Sequence, residues 1–382
     1  MKKVDIFVFV DALGHEVIKK HPWFLDKLKY RKAVTMQFGY SSTALPTILT
    51  GRSPREHEHF SFFYYDPENS PFRNSRLFKL CSFLPLKLQT WWRLRGIISD
   101  LVKKLNGFTG YFQLYNMNFL DLPKINYCEK NDIFAENAFQ NIDGLRDLLI
   151  KNDKKFFISP WQNTEEENYE KAKDVLNKGD VDFLFMYTAG LDGVLHSHCC
   201  ESAEAKSEMN KYEDMILGLQ KVAEDMYEDV SITIISDHGM TPHQYSIDLK
   251  KTVNDLGFVQ HKDYFAVYDS TMMRVWYFNP LAKNKIRRKI QEGHRKDGHF
   301  LSTQEKIDFG IDFENDKFGN DIFLLRPGGQ IVPSDMGKNA MPGMHGYHPV
   351  DKDSNAAVIS SKPIPEYVSH VSDFFRLFKE CI

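Results

Sequence analysis

Four short apolar runs constrain this fold more than any other feature of the chain: Val4–Val10 (apart from Asp5), Phe156–Ile158, Phe183–Tyr187 and Ser231–Ile235. Each is short and rich in β-branched and aromatic residues, and the first three are apolar without alternation, which is the pattern of a strand covered on both faces. Patterns of helical period separate them, at about 132–151, 164–178 and 203–228; in the last, Met209, Tyr212, Met215, Ile216, Leu219 and Val222 recur near that period. Strands alternating with helices predict an α/β fold with a mostly parallel central sheet and helices on both faces. In such sheets ligands gather at the carboxyl ends of the strands, so the residues just after each run are the ones to inspect.

At 382 residues and 42% hydrophobic, the chain can support one large catalytic domain over its whole length. Two stretches break the alternation: 60–130 is aromatic and irregular, and 262–338 carries the strand-like pieces YFAVYD, MMRVWYF and DIFLL. They are expected to be cap insertions, the second a smaller subdomain. A net charge of −3 gives no bias toward a nucleic acid polymer. The five cysteines show no CxxC spacing and are odd in number, which argues against a disulfide framework and for a reducing, cytoplasmic setting. Lys2 and Lys3 precede an apolar run as in a signal peptide, but Asp5 interrupts that run and it ends at Asp11 without a small-residue cleavage site, so a buried first strand is expected. No apolar stretch reaches the length of a membrane span.

The strand ends carry acids and imidazoles. Asp11 follows the first run, Asp192 and His196 follow the third, Asp237 and His238 follow the fourth, and His345 lies in MPGMHGYHP ahead of a further apolar piece, Ala356–Ile359. Singly, each reads as a turn or capping residue. Together, three carboxylates and three imidazoles suit two zinc-like ions. Asp192 and His196 are four apart, so on a helical turn they share a face.

In FGYSSTALPTILTG, Ser41, Ser42 and Thr43 precede a helical pattern that stops near Gly51. A hydroxyl there is an N-cap, or a nucleophile beside the positive end of a helix, where phosphate also binds. Farther on, 73–104 holds eight bases against Asp100 alone, and Leu84, Leu88, Trp91, Leu94, Ile98, Leu101 and Leu105 recur at helical spacing between Pro85 and Gly107. A basic amphipathic helix over 84–105 is expected, packing on the core or resting on a membrane surface. Arg274, in a strand-like piece, is a candidate for reaching a phosphate.

The motifs VDALG, ILTGRSPREHEH, LDGVLH, ISDHGM and MHGYH, in this order, resemble those of the alkaline phosphatase superfamily, in its nucleotide pyrophosphatase/phosphodiesterase (type I phosphodiesterase) branch. The resemblance implies that Asp192, His196 and His345 hold one divalent ion and that Asp11, Asp237 and His238 hold another. It places the nucleophile ten residues before the glycine of the TG pair, at Ser41 (51 − 10 = 41), which would also touch metal. The expected cofactors are two divalent ions, zinc first and manganese second. The expected substrate is a small phosphorylated molecule, such as a nucleotide, nucleotide-sugar or phospholipid-like diester, cleaved through a phosphoseryl intermediate. A phosphomonoesterase or phosphotransferase on the same core is the alternative, and a non-catalytic binding module the third reading. The chain departs from the branch at Ala44, where the pattern has asparagine, and at His348, where it has aspartate. Thr43 and Leu45 stand where a sulfatase has proline and arginine, which disfavours that branch.

Overall fold

The computed structural model describes residues 2–382, which divide into two compact units. The first holds the chain up to Ser53, Phe134–Pro242 and Met341–Ile382; the second holds Pro54–Ile133 and His243–Ala340.

The first unit is built on a six-stranded sheet in the order Tyr30–Val34, Ala356–Ser360, Asp229–Ile235, Lys3–Val10, Phe183–Thr188, Phe156–Ile158. The predicted runs are therefore strands, and the central three pair in parallel. Ala356–Ser360 runs against both of its neighbours. Alternation along Lys3–Val10 sorts its side chains to two faces. Val4, Ile6, Val8 and Val10 enter a core shared with Met209, Tyr212, Ile216 and Leu219 of the Ala203–Met226 helix. On the other face, Phe7 meets Phe378 of the Asp373–Cys381 helix edge-on at 4.8 Å. Helices thus cover both faces, as expected of a parallel sheet with buried strands.

Helix ends follow their capping chemistry. Thr164 and Glu167 form a reciprocal capping box at the start of Glu165–Lys178, and Gly179 closes that helix with a left-handed backbone. The helix expected over 132–151 is shorter: only Leu145–Lys151 is helical. Upstream, Asn137 and Asn141 adopt positive φ, and Asp147 caps the amides of Asn137 and Gly144 at 2.8 Å each. Asparagine tolerates that backbone and competes with helix formation, so the apolar spacing is overridden.

Both non-alternating stretches lie within the second unit. Its main sheet is antiparallel, in the order Tyr264–Tyr268, Met272–Tyr277, Asp321–Leu325, Gly298–Phe300, and a small ladder joins Phe63–Tyr65 to Ile125–Tyr127. Two expectations are corrected here. Arg274 does not face a ligand: it is fully buried, with Nε 2.7 Å from Asp269 Oδ2 and Nη1 donating to the Phe63 carbonyl at 2.6 Å. A buried guanidinium requires such pairing. The helix expected over 84–105 is two, Leu86–Gln89 and Trp92–Asn106, broken at Thr90 and Trp91. The longer one buries Arg95, Ile98, Ser99 and Val102 and leaves Leu101 and Leu105 exposed.

Candidate metal centre

All seven residues singled out for chemistry belong to the first unit. Asp11 follows strand Lys3–Val10, where Ala12 turns with φ +61. Asp192 and His196 occupy successive turns of the Gly190–His198 helix after Phe183–Thr188. Asp237 and His238 follow Asp229–Ile235, and His345 follows the two-residue strand Gly343–Met344, which pairs with Thr241–Pro242. Ser41 is the first residue of the Ser41–Thr50 helix, closed by Gly51 at φ +66.

Glycines let these loops converge. A Cβ on Gly14 would lie 2.3 Å from the Gly239 Cα, and one on Gly239 would lie 2.2 Å from the Asp353 carbonyl oxygen. The glycines of DALG and DHG are thus required by close backbone approach. The Ala12 amide donates to Asp237 Oδ1 at 3.2 Å and so ties the first strand's turn to Asp237.

Backbone carbonyls orient two of the imidazoles. His238 Nδ1 lies 2.9 Å from the Gly239 carbonyl and His196 Nδ1 lies 2.9 Å from that of Gly343. A carbonyl only accepts, so each Nδ1 carries a proton, and in the neutral ring that a metal ligand requires each Nε2 presents a lone pair. That of His238 faces Asp237 Oδ2 at 3.1 Å and Asp11 Oδ1 at 3.6 Å. That of His196 faces Asp192 Oδ1 at 3.4 Å, and His345 Nε2 lies 3.6 Å from the same oxygen. Asp11 Oδ1, Asp192 Oδ1 and Asp237 Oδ2 are buried with no hydrogen-bond partner.

Acceptors this close, with no donor between them, call for a cation. Two ligands about 2.1 Å from one tetrahedral ion stand about 3.4 Å apart, the separation seen at these contacts. Two sets of three ligand atoms each gather within 4.8 Å: Asp11, Asp237 and His238, and Asp192, His238 and His345. The first matches the expected partition. In the second His238 takes the place expected for His196, which nevertheless touches Asp192 and lies 5.0 Å from the His345 ring, centroid to centroid.

The electrostatics agree. Burial, then the neighbouring Asp237 and Asp192 charges, raise the Asp11 carboxyl well above the ordinary range. Burial likewise raises Asp192. Burial, then the His238 and His196 rings, push His345 well below the ordinary imidazole range; its ring stacks on that of His238 at 3.7 Å. Ser41 Oγ lies 3.0 Å from His238 Nε2 and, the tautomer being set, donates to it. Ser42 Oγ is buried without a partner, and the Thr43 side chain is wholly buried. Two contributors were not legible beforehand: Tyr40, whose ring packs edge-on to His345 at 5.7 Å, and the Gly343 carbonyl. The glycine of MPG was a usable signal, since a Cβ there would meet the Leu195 carbonyl oxygen at 2.5 Å.

A mixed α/β unit with acids and imidazoles at the carboxyl ends of its strands defines a metallohydrolase-like class. The sequence matches the family described as type I phosphodiesterase / nucleotide pyrophosphatase over residues 29–348, and the chain belongs to that family, within the alkaline phosphatase superfamily. It is a phosphoric diester hydrolase of a metal-dependent family. Among solved structures it is similar to murine ectonucleotide pyrophosphatase / phosphodiesterase 5, inactive and in complex with AMP, at 14% identity and a TM-score of 0.67, covering 100% of this chain and 95% of that one. The human protein of the same name is similar at 13% identity and a TM-score of 0.67, covering 99% and 94%. At these identities the likeness speaks to the fold. No curated protein matches the sequence.

Proposed function

We propose that this protein cleaves a small phosphodiester or pyrophosphate in two displacements through a covalent intermediate on Ser41, at a site holding two divalent ions, zinc being favoured by the mixed imidazole and carboxylate donors. Asp11, Asp237 and His238 would hold one ion; Asp192, His345 and His196 would hold the other. Bound there, divalent ions lower the pKa of a hydroxyl and neutralise phosphoryl charge. The observation that carries this reading is Ser41 Oγ, 3.0 Å from His238 Nε2 amid unpartnered carboxylate oxygens.

Ser41 opens a ten-residue helix, whose positive end favours negative charge developing on Oγ and on the phosphoryl group. Ser41 Oγ loses its proton and attacks phosphorus; the P–O bond to the leaving group breaks. A water oxygen then attacks the same phosphorus, the Oγ–P bond breaks, and Ser41 recovers a proton. With a diester, the serine adduct keeps one ester arm. The AMP complex of the similar murine protein supports a nucleotide as the retained arm. The test compares turnover of thymidine 5′-monophosphate p-nitrophenyl ester, bis-p-nitrophenyl phosphate and p-nitrophenyl phosphate, with mass spectrometry of quenched enzyme. Fastest turnover of the nucleotide ester and an adduct on the peptide carrying Ser41 are expected. Preference for the monoester would establish the phosphomonoesterase alternative.

A further inference from the structure

We propose that Arg76–Leu105, in the second unit, is an interfacial anchor that seats this protein on an anionic lipid bilayer. Three helices make up the segment: Arg76–Cys81, Leu86–Gln89 and Trp92–Asn106. Gln89 Nε2 donates to the Ser82 and Leu84 carbonyls, and Arg95 Nε donates to the Gln89 carbonyl, so the three are bound into one local structure. Leu80, Phe83, Leu86, Trp92, Ile97 and Leu105 are each between 66% and 77% exposed. Isolated exposed leucines need no explanation, but so many within thirty residues mark a surface meant to be covered.

The exposure is enforced by the fold. Ile97, Leu101 and Leu105 recur every fourth residue and form a ridge along Trp92–Asn106. The buried side sets Ile98 and Val102 in an apolar core and, beside them, Arg95, whose Nη1 donates to the Met117 carbonyl at 2.7 Å and whose guanidinium lies 4.0 Å from the Phe119 ring centroid. Ser99 on that side accepts the Leu114 amide at 3.0 Å. Turning the helix to hide this ridge would break these bonds, expose the phenylalanine and pull Ile98 and Val102 from the core, so Ile97, Leu101 and Leu105 are held outward.

Charge identifies the occupant. The segment carries seven bases and one acid, Asp100, a net of +6 (7 − 1) in a chain whose net charge is −3. Arg76, Lys79, Lys87, Arg93 and Lys104 are exposed among the apolar side chains. Long cationic side chains reach headgroup phosphates while the stems and neighbouring apolar groups enter the acyl boundary, and tryptophan favours that depth. Among the described residues no helix is long and apolar enough to cross a membrane, so the contact is with the surface.

The test is flotation of the full-length protein with vesicles of phosphatidylcholine alone or containing phosphatidylglycerol, at low and high salt. Binding only to the anionic vesicles, weakened by salt, is expected. The pair Lys87→Glu with Lys104→Glu, and separately the pair Phe83→Ser with Ile97→Ser, should each lower the vesicle partition coefficient by at least about tenfold. All four positions are exposed, so melting temperature and turnover of a soluble diester should be unchanged. Failure of the wild-type protein to float, or flotation unaffected by either pair, overturns the proposal. A concentration-dependent dimer that the serine pair abolishes, without vesicle binding, would assign the face to a second copy instead.

Discussion

Ser41 Oγ stands 3.0 Å from His238 Nε2, while the other nitrogen of that ring is committed to the Gly239 carbonyl. The hydroxyl therefore approaches the lone-pair side of an imidazole already aimed at Asp237 and Asp11. Ser42 is its neighbour in sequence, but its buried Oγ makes no such contact. Ser41→Ala should lower kcat for a diester by about a thousandfold or more and leave bound metal unchanged by elemental analysis. Ser42→Ala should keep turnover within about tenfold, because that side chain neither attacks nor ligates. The reverse ranking would move the nucleophile to Ser42.

Metal affinity should rise with pH. Burial, with neighbouring carboxylates, holds the Asp11 carboxyl above the ordinary range, and burial does the same for Asp192. The metal-free site therefore retains protons that an ion must displace, so binding releases protons and strengthens as pH climbs through those raised values. His345 is pushed the other way and is neutral near pH 7, adding no competing proton there. Calorimetric titration of the apo-protein with zinc should show affinity tightening by about tenfold or more from pH 5 to 7.5, with proton release seen as a dependence of heat on buffer ionisation enthalpy. Affinity independent of pH would mean that these carboxylates are not the ligands.

Much of this site was legible because its geometry is local or set by strand ends. Asp192 and His196 share a helical face by their spacing alone, and Asp11 and Asp237 each follow a strand in the central parallel pair. What was hidden depends on partners distant in sequence. Arg274 looked like a ligand-facing base, yet Phe63, 211 residues away, supplies the carbonyl that holds it inside. Trp92–Asn106 keeps Ile98 of the expected face in the core but is rotated so that Leu101 and Leu105 face outward, for the same reason: Met117 and Leu114 offer a carbonyl and an amide that Arg95 and Ser99 satisfy. Apolar periodicity records roughly which face is buried; hydrogen-bond partners set the helix's final rotation.

Gly239 and Gly14 make a sharper test of the loop packing than any ligand change. Gly239→Ala would drive a Cβ to 2.2 Å from the Asp353 carbonyl oxygen, and Gly14→Ala would place one 2.3 Å from the Gly239 Cα. The contacts are backbone on both sides, so relief requires the loops to separate. Each substitution should cost about 1–3 kcal/mol of stability and weaken metal binding, since Gly14→Ala parts the turn after the first strand from the loop carrying Asp237 and His238, and Gly239→Ala pushes that loop off Asp353. Thermal melting with and without metal measures both effects. An unchanged melting temperature would show that the loops yield freely.

Glu129, in the second unit, offers a stability test remote from metal. It is buried, and burial pushes its carboxyl up to about 8 from an ordinary 4.5. Below the ordinary value both folded and unfolded chains hold the proton, and the residue costs nothing. As pH rises from there toward 8 the unfolded chain ionises while the folded chain does not, so stability falls through that window. Above it, the folded protein carries a buried charge and the cost is complete. Glu129→Gln keeps the shape and cannot ionise. Its advantage over the wild-type protein should be near zero at pH 4.5 and grow to about 2–5 kcal/mol by pH 8.5, read by denaturant or thermal unfolding at matched salt. A gain equal at both pH values would trace the effect to packing, and no gain at pH 8.5 would show that the carboxylate has a compensating partner when ionised.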